Sequence, residues 1–465
     1  MSPSDKSRDQ HGSRNPISEE ENDSKKMTPP KKVYTNRNSV LTDLMQVNHL
    51  QTVYNIAVAV FNLCVLNAVL YYLAAPKMFQ RDLATILWGA GGVKLFIVMW
   101  LSFNIYAFCI LLGFKTWVRM RRKIHTKLAD TLFLIGYALA IVFMFVATTR
   151  VMLKSSFRPM SNFAIMCEQV RIFMKIYSFV KESAPRVLQY KPAKDGPQES
   201  NLYPTTKHFT YFLFAPVLIY RDSYPRKKDL DWDFVLHNLF KFFACIFITY
   251  CIFTRFVVDV FSLTGVRLFT LQEGALVLCG AMVVGSLMMF LMFYGILHSW
   301  LNVFAEMLQF GDREFYQDWW NSTSFSQYYR KWNTVVHDWL YTYVYMEAHK
   351  LKCGRSTSLV LVFAASAAVH EYIIALSMGF FYPVLMTTYL SIGVVVIFIT
   401  RKKTGQFWNT FMWSMLFSGW GTTVCLYAIE WYARTNCPGA NNTEPGFFEA
   451  RSWDRTCHII QYSEE

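Results

Sequence analysis

The sequence predicts an all-α, polytopic membrane protein of about nine transmembrane helices, with interfacial amphipathic helices between them. Two observations support this fold class. Hydrophobic residues make up 53% of the 465-residue chain and charged residues only 17%, compared with roughly 25% charged residues in a soluble domain. The hydrophobic residues also fall in long runs without charges, each near the ~20 residues that a 30 Å hydrocarbon core requires. A disordered or fibrous chain is excluded, and a bilayer is the expected solvent.

About eight spans follow from these runs in chain order. They are 51–75, 95–114, 131–149, 239–258, 274–305, two spans within 359–400 that Pro383 separates, and 407–429. The first run follows 48 mostly polar residues, so it lies too far from the start to be a secretory signal.

The positive-inside rule fixes an orientation at two places. The basic loop Lys115–Lys127 contains six Lys or Arg and no acidic residue, and Arg401–Lys403 is a second basic segment. If both are cytosolic, an even number of spans must lie between them. Hydropathy indicates five spans there, so one more crossing is required and the total number of crossings becomes odd.

Residues 161–180 provide that additional crossing. Glu168, Arg171 and Lys175 recur there at helical spacing and share one face. An interfacial amphipathic helix is the alternative, but the parity of crossings favours insertion with the polar face turned toward protein.

The chain divides into three regions. Residues 1–48 carry eight Lys or Arg and seven Asp or Glu and are expected to form a disordered cytosolic tail. Residues 49–434 form the membrane-embedded domain, and residues 435–465 form a lumenal tail. In this tail Cys437 and Cys457 flank the glycosylation sequon at Asn441, so a disulfide in an oxidising lumen is expected. The other eight cysteines lie in or beside apolar runs and are expected to be buried thiols.

The formal charge of +14 is explained by cytosolic basic loops and their attraction to anionic membrane lipids. No nucleic-acid-binding motif accompanies it. The sequence also contains no paired-cysteine motif, metal-ligand spacing or glycine-rich phosphate loop, so metal chemistry and nucleotide hydrolysis lack support.

Three further segments carry polar groups in an apolar setting. Residues 209–226 are aromatic around Pro216 and too short to span, which predicts a re-entrant or interfacial stretch. Residues 315–345 alternate aromatic residues with polar ones, among them Asp318, Asn321, Asn333, His337 and Asp338. His370 and Glu371 lie inside an otherwise apolar run, where ionisable groups usually line a cavity or pathway. If burial keeps the imidazole of His370 neutral, it would suit a general base. The alternative is that His370 is a structural residue whose hydrogen bonds are satisfied within the protein.

At these residues the chain resembles a known family. FYQDWWN at 315–321, WNTVVHDWLY at 332–341 and AAVHEY at 367–372 are similar to motifs of the membrane-bound O-acyltransferases. YFLFAPVLIYRDSYPR at 211–226 and EWYARTNCP at 430–438 favour the sterol branch over the diacylglycerol branch. The likeness covers most of the chain from about residue 50 onward.

The resemblance implies a nine-span fold of the endoplasmic reticulum membrane, with the N-terminus cytosolic and the C-terminus lumenal. It implies long-chain acyl-CoA as the donor, a sterol from the bilayer as the acceptor, no cofactor, and a homo-oligomer that is a dimer or a tetramer. The tail is short for the animal sterol enzymes, which puts the tetramer in doubt.

Matched residue by residue, the resemblance assigns His370 as the catalytic histidine and Asn333 as the second active-site residue. Acyl-CoA contacts are expected, by residue type and by the same likeness, from Tyr328, Tyr329, Arg330, Trp332, Tyr345, Arg355 and Ser366. A structural role in shaping the cavity is expected for Phe315, Tyr316, Asp318, Trp319, Trp320, Asn321 and Glu371.

The residues allow direct transfer of the acyl group from acyl-CoA to the acceptor hydroxyl. In this reaction His370 takes the proton of the hydroxyl and Asn333 assists at the thioester carbonyl. Two alternatives stay open. The acceptor could be diacylglycerol or a long-chain alcohol, or the protein could be a transporter in which His370 and Glu371 relay protons or line a lipid path.

Overall fold

The computed structural model describes residues 32–155, 158–190, 203–264, 270–437 and 446–453. Within these ranges the regular structure is helical, and pairing between extended segments is limited to two isolated bridges. The chain divides into Met1–Val33 and Tyr34–Glu465, and the description below concerns the second unit. The all-α prediction is confirmed.

The helices of the described residues follow in chain order. They are α1 Val40–Leu44, α2 Asn48–Ala74, α3 Pro76–Ala90, α4 Val93–Lys123, α5 Thr126–Lys154, α6 Pro159–Gln189, α7 Thr206–Phe214, α8 Trp232–Phe261, α9 Leu271–Met307, α10 Phe325–Trp332, α11 Thr334–Leu340, α12 Met346–Lys350, α13 Arg355–Met378, α14 Val384–Thr400 and α15 Gln406–Asn436. A 3₁₀ turn at Trp319–Asn321 lies between α9 and α10, and a π turn at Tyr341–Tyr345 joins α11 to α12.

Among the described residues, six helical stretches are long and apolar enough to cross a membrane. They are α2, the continuous α3 and α4, α5, α8, α9 and α13. Helix α14 is apolar but shorter, and α6 and α15, of 31 residues each, cover the two other predicted spans. Every predicted span is therefore helical, and a polytopic membrane protein is confirmed. The count of nine crossings stays a prediction.

Helix α6 turns its polar face toward protein, as predicted. Lys175 is only 1% exposed, and its ammonium donates hydrogen bonds to the carbonyl oxygens of Phe212 at 2.5 Å and Ala215 at 2.8 Å. Arg171 donates to the carbonyl oxygen of Leu213 at 2.6 Å. These cations satisfy the carbonyls where α7 ends, which is the condition for burying irregular backbone after it.

Two glycines let α9 and α15 approach closely. A Cβ atom on Gly421 would lie 2.3 Å from the Cα atom of Met282, and one on Gly285 would lie 2.9 Å from the backbone nitrogen of Gly421. Small residues at such crossings bring backbones together and increase packing between membrane helices.

The residues before α2 are more ordered than the sequence predicted. We call Tyr34–Leu44 the N-terminal strap. The ring of Tyr34 packs on those of Tyr224 and Phe310, at centroid distances of 5.3 and 6.3 Å, and Ser39 is fully buried. The prediction of disorder through residue 48 is wrong for the strap, because these contacts compensate the ordering entropy that a polar composition alone does not offset. Residues 1–31 lie outside the described part of the chain.

The lumenal-tail prediction falls largely outside the described residues. Cys437 is buried at the end of α15, whereas Cys457 and Asn441 lie outside the described ranges. The eight other cysteines carry free thiols, though of these only Cys245 and Cys425 are buried. The disulfide stays a prediction.

Candidate active site

His370 lies on α13, and among the described residues only one of its two ring nitrogens has a hydrogen-bond partner. Its Nδ1 atom is 2.7 Å from the carbonyl oxygen of Ser366 and 3.4 Å from the hydroxyl of the same residue. A carbonyl oxygen only accepts, so Nδ1 carries the proton in the neutral ring, and Nε2 bears the free lone pair. The ring of Tyr389 approaches edge-on, with its centroid at 6.1 Å.

The sequence predicted a buried imidazole, but His370 is exposed. Its ring lies on a face of α13 that neighbouring described helices leave uncovered. An accessible ring is what direct contact with a substrate requires, since a general base must come within hydrogen-bond reach of the proton it takes.

Asn333 lies at the start of α11, where it caps the helix. Its side-chain oxygen accepts a hydrogen bond from the backbone nitrogen of Val336 at 3.1 Å, which satisfies one of the free N–H groups at that terminus. Within the described residues its amide nitrogen has no hydrogen-bond partner, and no hydrogen bond joins it to His370. The amide is therefore available to a substrate.

The FYQDWWN segment fixes the backbone around Asn333. The nitrogen of Thr334 donates to the carbonyl oxygen of Phe315 at 3.0 Å, and the nitrogen of Gln317 donates to that of Lys331 at 2.8 Å. The two segments that the sequence singled out separately are thus paired through their backbones.

Trp319 is the centre of an aromatic cluster beneath this pairing. Its ring centroid lies 4.7 Å from Trp332, 5.1 Å from Phe293, 5.3 Å from Trp413 and 5.8 Å from Tyr328. The contacts with Trp332, Phe293 and Tyr328 are edge-to-face and the one with Trp413 is tilted. Edge-to-face pairs each add about 0.5 to 1.5 kcal/mol beyond the burial of area. This packing supports the structural role expected of the motif.

The polar members of the motif make local contacts. Asp318 accepts hydrogen bonds from the ammonium of Lys331 at 2.9 Å and the amide of Asn321 at 3.4 Å. Burial raises the pKa of Asp318, but these two donors lower it by more, so the net pKa lies below its ordinary value. The carbonyl oxygen of Trp320 accepts from Asn409 at 2.9 Å. Asp318 is 46% exposed, so its pair with Lys331 is a surface ion pair. Within the described residues no hydrogen bond joins Asp318 to His370.

Tyr329 connects α10 with α13, the helix that carries His370. Its ring packs edge-on against Phe363 at 4.8 Å, and Phe363 lies on the same face of α13 as His370, seven residues earlier. Burial raises the pKa of Tyr329, and Tyr389 raises it further, so Tyr389 lies near both Tyr329 and His370. The structure therefore brings Tyr329, one residue of the predicted acyl-CoA set, to the helix that carries His370.

The other predicted acyl-CoA residues lie farther along the surface. Arg330 and Arg355 are exposed, and Arg355 begins α13. Tyr345 belongs to a ring stack that sequence analysis missed, formed by His337, Tyr341, Tyr345 and His349 with centroid distances of 6.1, 5.3 and 6.4 Å. The signal was available, because aromatic rings recur there every fourth position.

Glu371 is 2% exposed and points away from His370's surroundings. It accepts hydrogen bonds from the hydroxyl of Tyr427 at 2.7 Å and the backbone nitrogen of Met386 at 3.0 Å. These bonds join α13 to α14 and α15, as expected of a residue that anchors helix packing.

His298 is a second intramembrane histidine that the sequence analysis overlooked in the run 274–305. It is buried on α9, and its Nδ1 atom lies 2.7 Å from the hydroxyl of Tyr316. Asn302 and Ser39 complete a buried hydrogen-bonded cluster with it. Within the described ranges no group of three or more His, Cys, Asp or Glu could hold a metal ion.

Residues 141–429 match the sequence model of the membrane-bound O-acyltransferase family, and this region contains Asn333, His370 and the FYQDWWN segment. The chain belongs to the membrane-bound O-acyltransferase family. The predicted resemblance is confirmed, and the protein is an acyltransferase, which favours the enzyme over the transporter alternative.

Three relatives of this acyltransferase illustrate the likeness. Sterol O-acyltransferase 1 of Mus musculus is 37% identical over 93% of this chain and 81% of its own length. Sterol O-acyltransferase 2 of Rattus norvegicus is 38% identical over 92% of this chain and 81% of its own length. Sterol O-acyltransferase 2 of Homo sapiens is 37% identical over 92% of this chain and 80% of its own length.

Proposed function

We propose that the protein transfers a long-chain fatty acyl group from acyl-CoA to the hydroxyl of a sterol such as cholesterol, giving a steryl ester and free CoA. The accessible imidazole of His370, with Nδ1 bound to Ser366 and Nε2 open, is the observation that carries the chemistry. Similarity to proteins named sterol O-acyltransferases along 93% of the chain supports the sterol as acceptor.

The reaction needs no covalent enzyme intermediate. Nε2 of His370 accepts the proton of the sterol hydroxyl while the oxygen attacks the thioester carbonyl. The tetrahedral intermediate collapses, the carbon–sulfur bond breaks, and the imidazolium returns the proton to the departing CoA sulfur. Acyl-CoA is a co-substrate, and the mechanism uses no cofactor.

Asn333 assists by donating its amide to the oxygen of the thioester carbonyl. That oxygen gains negative charge as the tetrahedral intermediate forms, and one such donor typically contributes about 2.7 to 4 kcal/mol. The free amide nitrogen and the backbone pairing that fixes this position support the role.

The two substrates reach the site from different phases. Acyl-CoA arrives from the cytosol, where the exposed cations Arg330 and Arg355 can pair with its phosphates. The half-buried rings of Trp332 and Tyr345 can contact the rest of the donor, whereas Tyr328 is buried in the Trp319 cluster and supports this surface from below. The sterol arrives from the bilayer.

We further propose that the protein resides in the endoplasmic reticulum membrane. It crosses about nine times, with a cytosolic N-terminus and a lumenal C-terminus, as the basic segments at Lys115–Lys127 and Arg401–Lys403 indicate. It assembles as a homo-oligomer, either a dimer or a tetramer.

Purified protein in detergent, supplied with labelled oleoyl-CoA and one acceptor at a time, tests the function. Cholesterol, diacylglycerol and a long-chain alcohol form the panel, and His370→Ala is the negative control. Steryl ester formed by wild-type protein alone is the expected result. Triacylglycerol or wax ester instead of steryl ester would overturn the sterol assignment, and absence of every product would overturn the donor as well.

A further inference from the structure

The N-terminal strap binds the loop that follows α9. The guanidinium of Arg37 donates to both carboxylate oxygens of Asp312, at 2.7 and 3.1 Å, and pairs with Glu314 at 2.8 Å. The backbones pair as well, since the nitrogen of Arg37 donates to the carbonyl of Gly311 at 2.9 Å, and that of Arg313 donates to the carbonyl of Arg37 at 3.1 Å. One arginine thus fixes two acidic side chains two residues apart.

The same loop holds the residue beside Asn333. The hydroxyl of Thr334 donates to the carbonyl oxygen of Glu314, and the nitrogen of Thr334 donates to the carbonyl oxygen of Phe315. Arg37 therefore binds the side chain of Glu314, whose own carbonyl binds the neighbour of Asn333.

The contact between strap and loop is tight. Gly311 has no room for a side chain, because a Cβ atom there would lie 1.8 Å from the side-chain oxygen of Asn36. The Asp312 side chain is 4% exposed, while that of Arg37 is 34% exposed. Removing Arg37 would leave a nearly buried carboxylate without its bidentate partner, which favours rearrangement of the loop.

We propose that Arg37 is a positioning residue for Asn333: by holding Asp312 and Glu314, it sets the loop that aims the Asn333 amide at the acyl carbonyl. This inference rests on the proposed function. It concerns a segment that lies outside residues 141–429, the region that matches the family.

The expected signature is a loss of kcat without a comparable change in either KM. A displacement of about 1 Å at a catalytic group can reduce the rate about 100-fold, so Arg37→Ala should lower kcat by roughly 10-fold to 100-fold. Arg37→Lys retains the charge but lacks the planar fork, so its kcat should lie between those of Arg37→Ala and wild type. Arg186→Ala is the matched control, because Arg186 forms an exposed ion pair with Asp222 at 2.6 Å that does not include Asp312 or Glu314.

A double-mutant cycle separates positioning from general stability. Asn333→Asp retains a helix-capping oxygen but removes the amide donor, so Arg37→Ala should have little further effect on kcat in that background. Steryl ester formation is measured for monodisperse protein with both substrates varied.

Wild-type kcat in Arg37→Ala, or an equal loss in both backgrounds, would overturn the positioning role. If Arg37→Ala does not fold, Arg37→Lys tests the proposal. A wild-type kcat in Arg37→Lys would show that the bidentate hydrogen bonds to Asp312 are not needed and would overturn the positioning role. Failure of the proposed function is distinguishable, because wild-type protein itself would then form no steryl ester.

Discussion

Nδ1 of His370 lies 2.7 Å from the backbone carbonyl oxygen of Ser366, one helical turn earlier. Because the carbonyl can only accept, this bond fixes the tautomer of the neutral imidazole and leaves Nε2 as the basic atom. The backbone of α13 thus orients the ring, and the hydroxyl of Ser366, at 3.4 Å, contributes less.

His370→Ala should lower kcat by about 10² to 10⁴-fold, the usual contribution of a general base. The measurement is steryl ester formation at saturating oleoyl-CoA and cholesterol, with variants that elute as monodisperse particles. His237→Ala, at an exposed histidine of α8, is the matched control and should retain wild-type kcat. A His370→Ala protein with more than about a tenth of wild-type kcat would contradict the base role.

Asn333 performs a structural task that can be separated from its chemical one. Its oxygen caps α11, and Asp is as good a cap as Asn, whereas Ala costs about 1 kcal/mol. Asn333→Asp should therefore keep the melting temperature of wild type but lose most of kcat, because a carboxylate cannot donate to the developing oxyanion. Asn333→Ala should have both a lower melting temperature and a lower kcat. If Asn333→Asp turns over like wild type, capping is the whole role of this residue.

The donor site is tested by two substitutions that affect KM. Arg355→Ala removes an exposed cation at the start of α13, and Tyr329→Ala removes the ring that packs against Phe363. Each should raise the KM for acyl-CoA by about tenfold, equivalent to ~1.4 kcal/mol. Arg150→Ala is the control for loss of a positive charge, because Arg150 is an exposed residue near the C-terminal end of α5.

An unchanged KM for oleoyl-CoA in both variants would reassign Tyr329 and Arg355 to the interface with the membrane. Salt provides a second measurement. The difference in KM between Arg355→Ala and wild type should shrink as ionic strength rises, because exposed charges are screened.

Much of the fold could be predicted because the bilayer imposes a strong rule on sequence. Long uncharged runs identified the spans, and the positive-inside rule led to α6, whose Lys175 is buried against the carbonyls of Phe212 and Ala215. Both depend on local sequence and on the cost of charge in hydrocarbon.

The strap and the setting of His370 could not be predicted in this way. Arg37 and Asp312 are far apart in the chain, and nothing local in a polar tail indicates which buried carboxylate it will meet. The accessibility of His370 likewise depends on which faces of α13 the neighbouring helices cover. Tyr389, which lies beside that ring, carried no motif of its own.

The cysteines of the C-terminal tail report on which side of the membrane the chain ends. Eight cysteines have free thiols in the structure, which leaves Cys437 and Cys457 as the pair available for a disulfide. If the number of crossings is odd, as we propose, both lie in the oxidising lumen. An impermeant thiol reagent added to sealed, right-side-out microsomes should therefore label neither residue, whether or not reductant is present outside. After permeabilisation, labelling of both should require reductant.

Cys353, on the cytosolic side of α13 by the same topology, is the positive control for reagent access. Reaction of Cys437 and Cys457 from the cytosolic side without reductant would contradict the nine-span topology.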